Sequence, residues 1–196
     1  MKREEIQTIF EQAGAIRTGH FELTSGLHSG TYIQCALVLQ YPQHAEKLGR
    51  ALADHFKDSQ ISCVVAPAMG GITIGYEVAR ALGVRSLWVE RDRSGQMALR
   101  RGWALQPGER VLVIEDVWTT GGSTRETIGV VQSEAGVVVA AGALIDRTGG
   151  RIELNLPAHA LLSMEVPSYE PEACPLCRTG SATTKPGSRM TRAQTS

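Results

Sequence analysis

The sequence lacks any apolar run near the roughly 18 residues of a membrane-spanning helix, which argues against a membrane protein. It also lacks an excess of either charge, because its 196 residues include 20 basic and 20 acidic ones. This balance argues against a nucleic-acid binder. The N-terminus, residues 1–14, carries acidic residues where a secretion signal would be apolar. We therefore expect a soluble, cytoplasmic protein that binds neither membranes nor nucleic acid.

Cysteine is scarce, with four residues, which are too few for a disulfide scaffold. Cys174 and Cys177 form one C-x-x-C, a usual spacing for zinc ligands. The sequence holds no second C-x-x-C and no H-x-x-x-H to complete such a site. Three interpretations stay open: a structural turn, zinc shared across subunits, or a redox pair. His20 and His28 lie in no metal-ligand spacing, so a structural role is the default for both.

Apolar strands alternate with helices along most of the chain. Strands are predicted at 62–68, 84–90, 110–116 and 137–147, and helices at 3–13, 42–57, 71–82 and 121–136. This alternation indicates an α/β fold with a parallel sheet flanked by helices. We expect an N-terminal hood element at 1–41, the α/β core at 42–170, and a flexible C-terminal extension at 171–196.

The segment at 91–109 breaks the alternation. It holds four arginines, a central glycine and no long apolar face. An irregular segment of this length within a compact domain is often a lid or a binding loop. We therefore predict a loop without regular structure here.

The stretch VLVIEDVWTTGGST (111–124) is the most informative. An apolar strand runs into Glu115 and Asp116, and a loop and a helix follow. Ligands of doubly wound sheets bind beyond such strand ends. Gly121 and Gly122 allow close backbone approach, and the N–H groups at the helix start can bind an anion. Further hydroxyl donors come from Thr119, Thr120 and Ser123.

This loop is neither a Walker loop, because the lysine is missing, nor a G-x-G-x-x-G loop. The acidic pair would repel a phosphate but can accept hydrogen bonds from a ribose diol. A ligand with ribose hydroxyls and a 5-phosphate is therefore favoured. The alternative is that Glu115 and Asp116 cap the helix and that the glycines make a tight turn.

This stretch resembles the phosphoribosyl pyrophosphate signature of type I phosphoribosyltransferases. More narrowly, GHFELTSGLHSGTYIQCA (19–36) resembles the N-terminal signature of the orotate phosphoribosyltransferase family, and PAMGGITIG (67–75) its pyrophosphate loop. Ile145, Asp146 and Arg147 match the family in position, and the resemblance covers about residues 1–170. It implies a homodimeric, magnesium-dependent enzyme that transfers ribose 5-phosphate from phosphoribosyl pyrophosphate to orotate.

The resemblance also implies roles for individual residues. Catalytic roles fall to Glu115, Asp116 and Arg91, the two acids binding the ribose hydroxyls and stabilising an oxocarbenium-like transition state. Contacts with phosphoribosyl pyrophosphate are expected from Glu115, Asp116, Val117, Trp118, Thr119, Thr120, Gly121, Gly122, Ser123, Arg91, Arg93, Met69 and Gly70. Contacts with orotate are expected from Thr119, Arg147, Tyr32 and Ile33. Magnesium is expected to bind through substrate and water, without a direct protein ligand.

A contact between Arg147 and orotate is also expected independently of the resemblance, since a guanidinium pairs bidentately with a carboxylate such as that of orotate. The alternative is that Arg147 ends a strand and pairs with Asp146. For Tyr32 and Ile33 the alternative is ordinary packing of a strand against the core.

Two departures from the family pattern affect the pyrophosphate. Gly70 stands where many relatives carry lysine, so this loop offers only backbone N–H groups. The segment at 91–109 lacks lysine and histidine, which leaves Arg93, Arg100 and Arg101 beside Arg91. Arginine can clamp a phosphate but cannot donate a proton as lysine can. A solvated charged face is the alternative for these arginines.

Two other functions remain compatible with the phosphate loop. One is phosphoribosyl transfer to another nucleobase, and the other is a non-catalytic regulator that senses phosphoribosyl pyrophosphate. The orotate-like N-terminal signature and Arg147 argue against the first, and the lack of an added basic domain argues against a nucleic-acid regulator.

Overall fold

The computed structural model describes residues 1–23 and 25–186. The helices of this part are α1 (Arg3–Gln12), α2 (Ala36–Leu39), α3 (Pro42–Ala53), α4 (Gly70–Leu82), α5 (Gly122–Ser133) and α6 (Pro175–Arg178), with a 3₁₀ turn at Pro171–Ala173. The strands are β1 (Ile16–Glu22), β2 (His28–Ile33), β3 (Cys63–Pro67), β4 (Arg85–Arg91), β5 (Met97–Leu99), β6 (Arg110–Trp118), β7 (Val137–Asp146), β8 (Ala158–Ser163) and β9 (Ser168–Tyr169). None of the described helices is long and apolar enough to cross a membrane.

The larger sheet confirms the predicted α/β fold. Its strand order is β5-β4-β3-β6-β7-β8, and all neighbours are parallel except the edge strand β5. Both faces are covered, as the near-continuous apolar strands require. Leu48 of α3 and Ile74 of α4 belong to the core on one face, and Val131 of α5 belongs to the core on the other. Parallel strands place their carboxyl ends at one edge, and that edge carries the candidate site.

The segment at 91–109 is not irregular throughout, so the prediction of a loop without regular structure was wrong for residues 97–99. They form β5, which pairs antiparallel with β4. Asp92 shapes the intervening turn, because its carboxylate accepts the backbone N–H groups of Ser94 (2.8 Å) and Gln96 (3.0 Å). A three-residue strand is too short to leave a periodic pattern, and its pairing with β4 holds it in place.

A second, smaller sheet joins the two ends of the chain in the order β1-β2-β9. His28 and Ser29 of β2 pair with Tyr169 and Ser168 of β9. The N–H of Thr184 donates to the carbonyl of His20 at 2.8 Å. The division into hood, core and flexible extension stays a prediction, and residues 187–196 of that extension lie outside the described residues.

Candidate active site

A cavity of about 490 Å³ opens at the carboxyl edge of the larger sheet. Of the residues predicted for the site, it is lined by Ile33, Met69, Gly70, Asp116 and Val117. It is also lined by Gln34, Cys35 and Thr73, which the sequence analysis did not single out. The cavity therefore joins the end of β2, the start of α4 and the end of β6.

Glu115 is buried on β6 and is held by a short chain of hydrogen bonds. The indole N–H of Trp118 donates to the Thr124 hydroxyl at 3.0 Å, and this hydroxyl donates to Oε2 of Glu115 at 2.8 Å. Burial raises the pKa of Glu115 to about 8, although the bond from Thr124 lowers it, and the charge of Asp116 raises it further. Burial thus favours the protonated form of this carboxyl group in the ligand-free protein.

Asp116 faces the cavity beside the first residue of α4. Burial raises the pKa of Asp116, and the backbone N–H of Val117, which donates to Oδ1 at 2.9 Å, lowers it. A Cβ placed on Gly70 would lie 2.6 Å from Oδ1 and 2.7 Å from Oδ2 of Asp116. Glycine at this position therefore lets the start of α4 approach the carboxylate. Met69, before it, is 82% exposed and follows a cis peptide bond.

The predicted phosphate loop makes a tight turn into α5. Gly121 has a φ of 76°, a left-handed conformation that favours glycine. The guanidinium of Arg125 donates to the carbonyls of Thr120 and Glu153, so that it ties the loop to the segment before β8. The side chains of Thr119 and Thr120 are exposed. The first-turn N–H groups of α5 have no intrahelical partners and can bind an anion.

Trp118 differs from its neighbours in the loop. Its side chain is 1% exposed and belongs to the apolar core on the α5 face. It would therefore reach a ligand only through its backbone, whereas its indole holds Thr124 and, through it, Glu115.

Arg147 follows β7 at the same edge, and its Nε is buried without a hydrogen-bond partner among the described residues. The alternative pairing with Asp146 is not seen, because both oxygens of that carboxylate are used elsewhere. Oδ1 accepts bonds from the backbone and hydroxyl of Thr148, and Oδ2 accepts one from the N–H of Gly150. Burial lowers the pKa of Arg147, and the nearby Tyr32 raises it. Arg147 is thus a half-buried cation whose Nε–H group can still donate a hydrogen bond to a ligand.

The arginines of the β4–β5 region lie away from the cavity. Arg91 pairs with Glu126 of α5 at 2.9 Å and lines a separate cavity of about 410 Å³. Glu90 pairs with Arg101 at 3.0 Å and with Arg100 at 3.9 Å. Arg93 is exposed. The structure therefore does not bring these side chains together with Glu115 and Asp116 within one chain.

Sequence reasoning missed several residues that shape the site. Gln34 and Cys35 lie inside the stretch 19–36 that carries the family resemblance, so a signal for them was present. Thr124 and Arg125 act by positioning the loop and Glu115. A threonine and an arginine in the first turn of a helix leave no pattern that distinguishes them from surface residues.

Residues 37–168 match the phosphoribosyl transferase domain family. The orotate phosphoribosyltransferase of Pelotomaculum thermopropionicum is 56% identical over 96% of this chain and 99% of its own length. That of Desulforamulus reducens is 54% identical over 97% and 99%. Among solved structures, the orotate phosphoribosyltransferase from Aeropyrum pernix superposes with a TM-score of 0.66 at 26% identity, covering 81% of this chain and 93% of that one.

A structure of the Mycobacterium tuberculosis orotate phosphoribosyltransferase in complex with 5-phospho-α-D-ribosyl 1-diphosphate has the same fold. Its TM-score is 0.67 at 23% identity, covering 83% of this chain and 96% of that one. The domain match, the sheet order and the loop that ends β6 place the protein in the class of phosphoribosyltransferases. Within that class the chain belongs to the orotate phosphoribosyltransferase family, since it shares more than half of its residues with relatives over nearly its whole length.

Proposed function

We propose that this chain transfers ribose 5-phosphate from phosphoribosyl pyrophosphate to N1 of orotate, giving orotidine 5'-phosphate and pyrophosphate in pyrimidine synthesis. Family membership supports the proposal, and so does one observation on the molecule itself. At the sheet edge that also carries the acidic pair, Arg147 has a buried guanidinium nitrogen with no hydrogen-bond partner in the described part of the chain. An unpaired buried donor is costly, and a carboxylate ligand such as orotate would satisfy it.

In this proposal Glu115 and Asp116 accept hydrogen bonds from the ribose hydroxyls. Positive charge develops on the ribose as pyrophosphate leaves, and carboxylates stabilise such charge strongly where water is excluded. Their raised pKa values fit this role, because burial disfavours their anionic forms until a cationic centre is present. The backbone and hydroxyl groups from Thr119 to Ser123 hold the 5-phosphate.

Magnesium fits this cavity as a substrate-borne ion. It keeps several waters and commonly binds through one or two carboxylates plus substrate phosphates. Asp116 supplies a carboxylate at the cavity, and it would accept a hydrogen bond from a water on the ion. When bound, the ion would neutralise charge on the departing pyrophosphate, and it would be held through substrate and water rather than by the protein directly.

Orotate would lie between Arg147 and the end of β2. Ile33 and Gln34 line the cavity. The Tyr32 hydroxyl donates to Oε1 of Gln34 at 2.6 Å, and this bond holds the side chains of Tyr32 and Gln34 together. Thr119 would complete the base site. The pyrophosphate would meet the loop at Met69 and Gly70.

We further propose that the active form is a homodimer. Arg91 lines a different cavity from Asp116, so a role for Arg91 or Arg93 in catalysis needs a neighbouring subunit or a movement of the β4–β5 hairpin. A dimer in which this hairpin reaches the partner's site meets that need. The cytoplasmic location stays a prediction.

The direct test is the loss of orotate absorbance when phosphoribosyl pyrophosphate and magnesium are added to the purified protein. Adenine, hypoxanthine and uracil serve as competing bases. Turnover of orotate alone among them is the expected result. Turnover of another base would favour a different nucleobase specificity, and binding of phosphoribosyl pyrophosphate without turnover would favour a sensor.

A further inference from the structure

Four side chains that the proposed reaction does not use meet beside the N-terminal hairpin. They are His20 on β1, His28 at the start of β2, and the cysteines of the C-x-x-C, Cys174 and Cys177. One ligand atom from each lies within 4.8 Å of all the others. His20, His28 and Cys174 are buried, and Cys177 is exposed. The cluster thus collects two imidazoles and two thiols in one place within one chain.

The separations agree with a tetrahedron around one small cation. His20 Nε2 and His28 Nδ1 are 3.0 Å apart. Sγ of Cys174 lies 3.5 Å from His20 Nε2, and Sγ of Cys177 lies 3.2 Å from His28 Nδ1. Zinc bond lengths imply about 3.4 Å between two nitrogens and about 3.6 Å between nitrogen and sulfur in a tetrahedral site. The atoms therefore already stand near the positions that zinc coordination needs.

The hydrogen bonds of His20 indicate that the cluster binds a metal ion and is not held by hydrogen bonds alone. Its Nδ1 lies 2.7 Å from the carbonyl oxygen of Ser181, so Nδ1 carries the proton and Nε2 presents its lone pair to the cluster. Three groups approach this one lone pair: His28 Nδ1, Sγ of Cys174 and Sγ of Cys177 at 3.7 Å. The lone pair can accept a hydrogen bond from only one of these three groups. A metal ion would instead bind His20 and all three groups at once. A backbone carbonyl on the outer ring nitrogen is the usual second partner of a metal-binding histidine.

We propose that His20, His28, Cys174 and Cys177 bind one structural Zn²⁺ ion. Tetrahedral coordination by two sulfurs and two nitrogens is characteristic of zinc, and iron–sulfur clusters are the main competitor. A two-iron cluster would place the cysteine pair and the histidine pair on different irons. Here sulfur and nitrogen atoms approach each other as closely as the ligands of a single ion. All four positions are filled by the protein, which is typical of a structural rather than a catalytic site.

The ion would fasten the C-terminal extension to the hood. Cys174 and His20 are 154 positions apart in the chain, and closing so long a loop restricts the unfolded chain considerably. Strand β9 before the cysteines and Thr184 after them already pair with β2 and β1. The ion would stabilise both contacts. Strand β2 continues to Tyr32 and Ile33, which lie beside the proposed orotate site.

The test measures metal content rather than activity, so its result is independent of the proposed reaction. The purified full chain, grown with zinc and never exposed to chelator, is analysed by inductively coupled plasma mass spectrometry. About one zinc per chain is expected. The matched variants Cys177→Ser and His28→Gln should lose most of it, and the controls Cys63→Ala and His159→Gln, which change residues outside the cluster, should keep it.

Reconstitution with Co²⁺ gives a second readout, since tetrahedral cobalt bound to thiolates absorbs visible light. The wild type should show this spectrum and Cys177→Ser should not. Removal of zinc by a chelator should lower Tm by about 5 °C or more, as expected when a ligand of the native state is lost. Zinc far below one per chain together with no cobalt spectrum would overturn the proposal, as would a Cys174–Cys177 disulfide in the freshly purified protein.

Discussion

Gly70 lies directly against the carboxylate of Asp116, so closely that a methyl group on Gly70 would stand 2.6 Å from Oδ1. The first residue of α4 and the end of β6 thus share one wall of the cavity. In the family that the sequence resembles, lysine is common at this position. Here the backbone of Gly70 itself approaches the carboxylate, and any side chain at this position would require Asp116 to move.

We predict that Gly70→Ala lowers kcat, because the new methyl group displaces the carboxylate that we propose binds the ribose. A displacement of about 1 Å can reduce rates by about 10²-fold. Steady-state kinetics with saturating substrates measures the effect. Gly129→Ala is the matched control, since a methyl group there meets open space on α5, and it should leave kcat unchanged. Equal rates for Gly70→Ala and the wild type would show that the close approach has no role in turnover.

We predict that Asp116→Asn and Glu115→Gln lower kcat far more than they weaken orotate binding. Their charges matter most when positive charge develops on the ribose, so the loss belongs to the transition state. Removing one such electrostatic contact costs roughly 10²–10³ in rate by analogy with oxyanion sites. Rate assays and direct orotate titration separate the two effects. Near-normal turnover in both variants would contradict the role given to the acidic pair.

We predict that Glu115→Gln also stabilises the ligand-free protein, increasingly so as the pH rises. Burial raises the pKa of Glu115 from 4.5 to about 8, so the folded state holds a proton that the unfolded state loses above about pH 4.5. The wild type therefore loses stability between about pH 4.5 and about pH 8, and glutamine, which does not titrate, avoids this loss. Thermal melts of both proteins should show the difference in Tm growing across this window. A constant difference would mean that Glu115 titrates normally.

The larger sheet could be predicted from the sequence because it rests on local patterns. Buried parallel strands are apolar along their length, and every strand and helix predicted between residues 42 and 147 is present with small shifts at its ends. The acidic pair and the glycines of the phosphate loop are contiguous in sequence, so their meeting at a strand end could be inferred from the chain alone.

Features made by distant segments could not be predicted in this way. β9 pairs with β2 across more than half of the chain, and the short β5 is defined by its neighbour rather than by its own residues. The cluster of His20 with Cys177 spans 157 positions, and neither histidine has a metal-ligand spacing of its own. Arg147 was expected at the site, but only the fold shows that Asp146 accepts a bond from Thr148 and that Nε of Arg147 has no partner among residues 1–23 and 25–186.

We predict that Arg147→Ala raises the KM for orotate and leaves binding of phosphoribosyl pyrophosphate nearly intact. Losing a desolvated, charge-assisted bond to a carboxylate costs about 2–5 kcal/mol. Calorimetric titration with each substrate measures the two affinities. Arg151→Ala is a suitable control, because Arg151 is exposed and pairs with Glu165 at the surface. If the affinities for both substrates fell equally, Arg147 would support the strand end instead of binding orotate.

The last prediction concerns the arginines of the β4–β5 region. Pyrophosphate leaves with growing negative charge, so we expect a cation from the neighbouring subunit to close over it. Arg100 and Arg101 are occupied by Glu90 of their own chain, whereas Arg93 is exposed and forms no ion pair with the described residues. Arg93→Ala alone should therefore produce most of the loss in kcat seen for the triple variant Arg93→Ala/Arg100→Ala/Arg101→Ala.

Mixing two inactive chains tests whether this clamp acts between subunits. One chain carries Asp116→Asn with an intact hairpin, and the other carries the triple arginine change with an intact acidic pair. If the hairpin acts on its partner, each mixed dimer regains one complete site, because the first chain's arginines cover the second chain's cavity. Arginine stays protonated, so the recovered activity should reflect electrostatic clamping without proton donation to pyrophosphate. Activity equal to that of the two parents, with mixed dimers confirmed by native mass spectrometry, would mean that the arginines act within their own subunit. Normal activity of the triple variant by itself would mean that they form a solvated face.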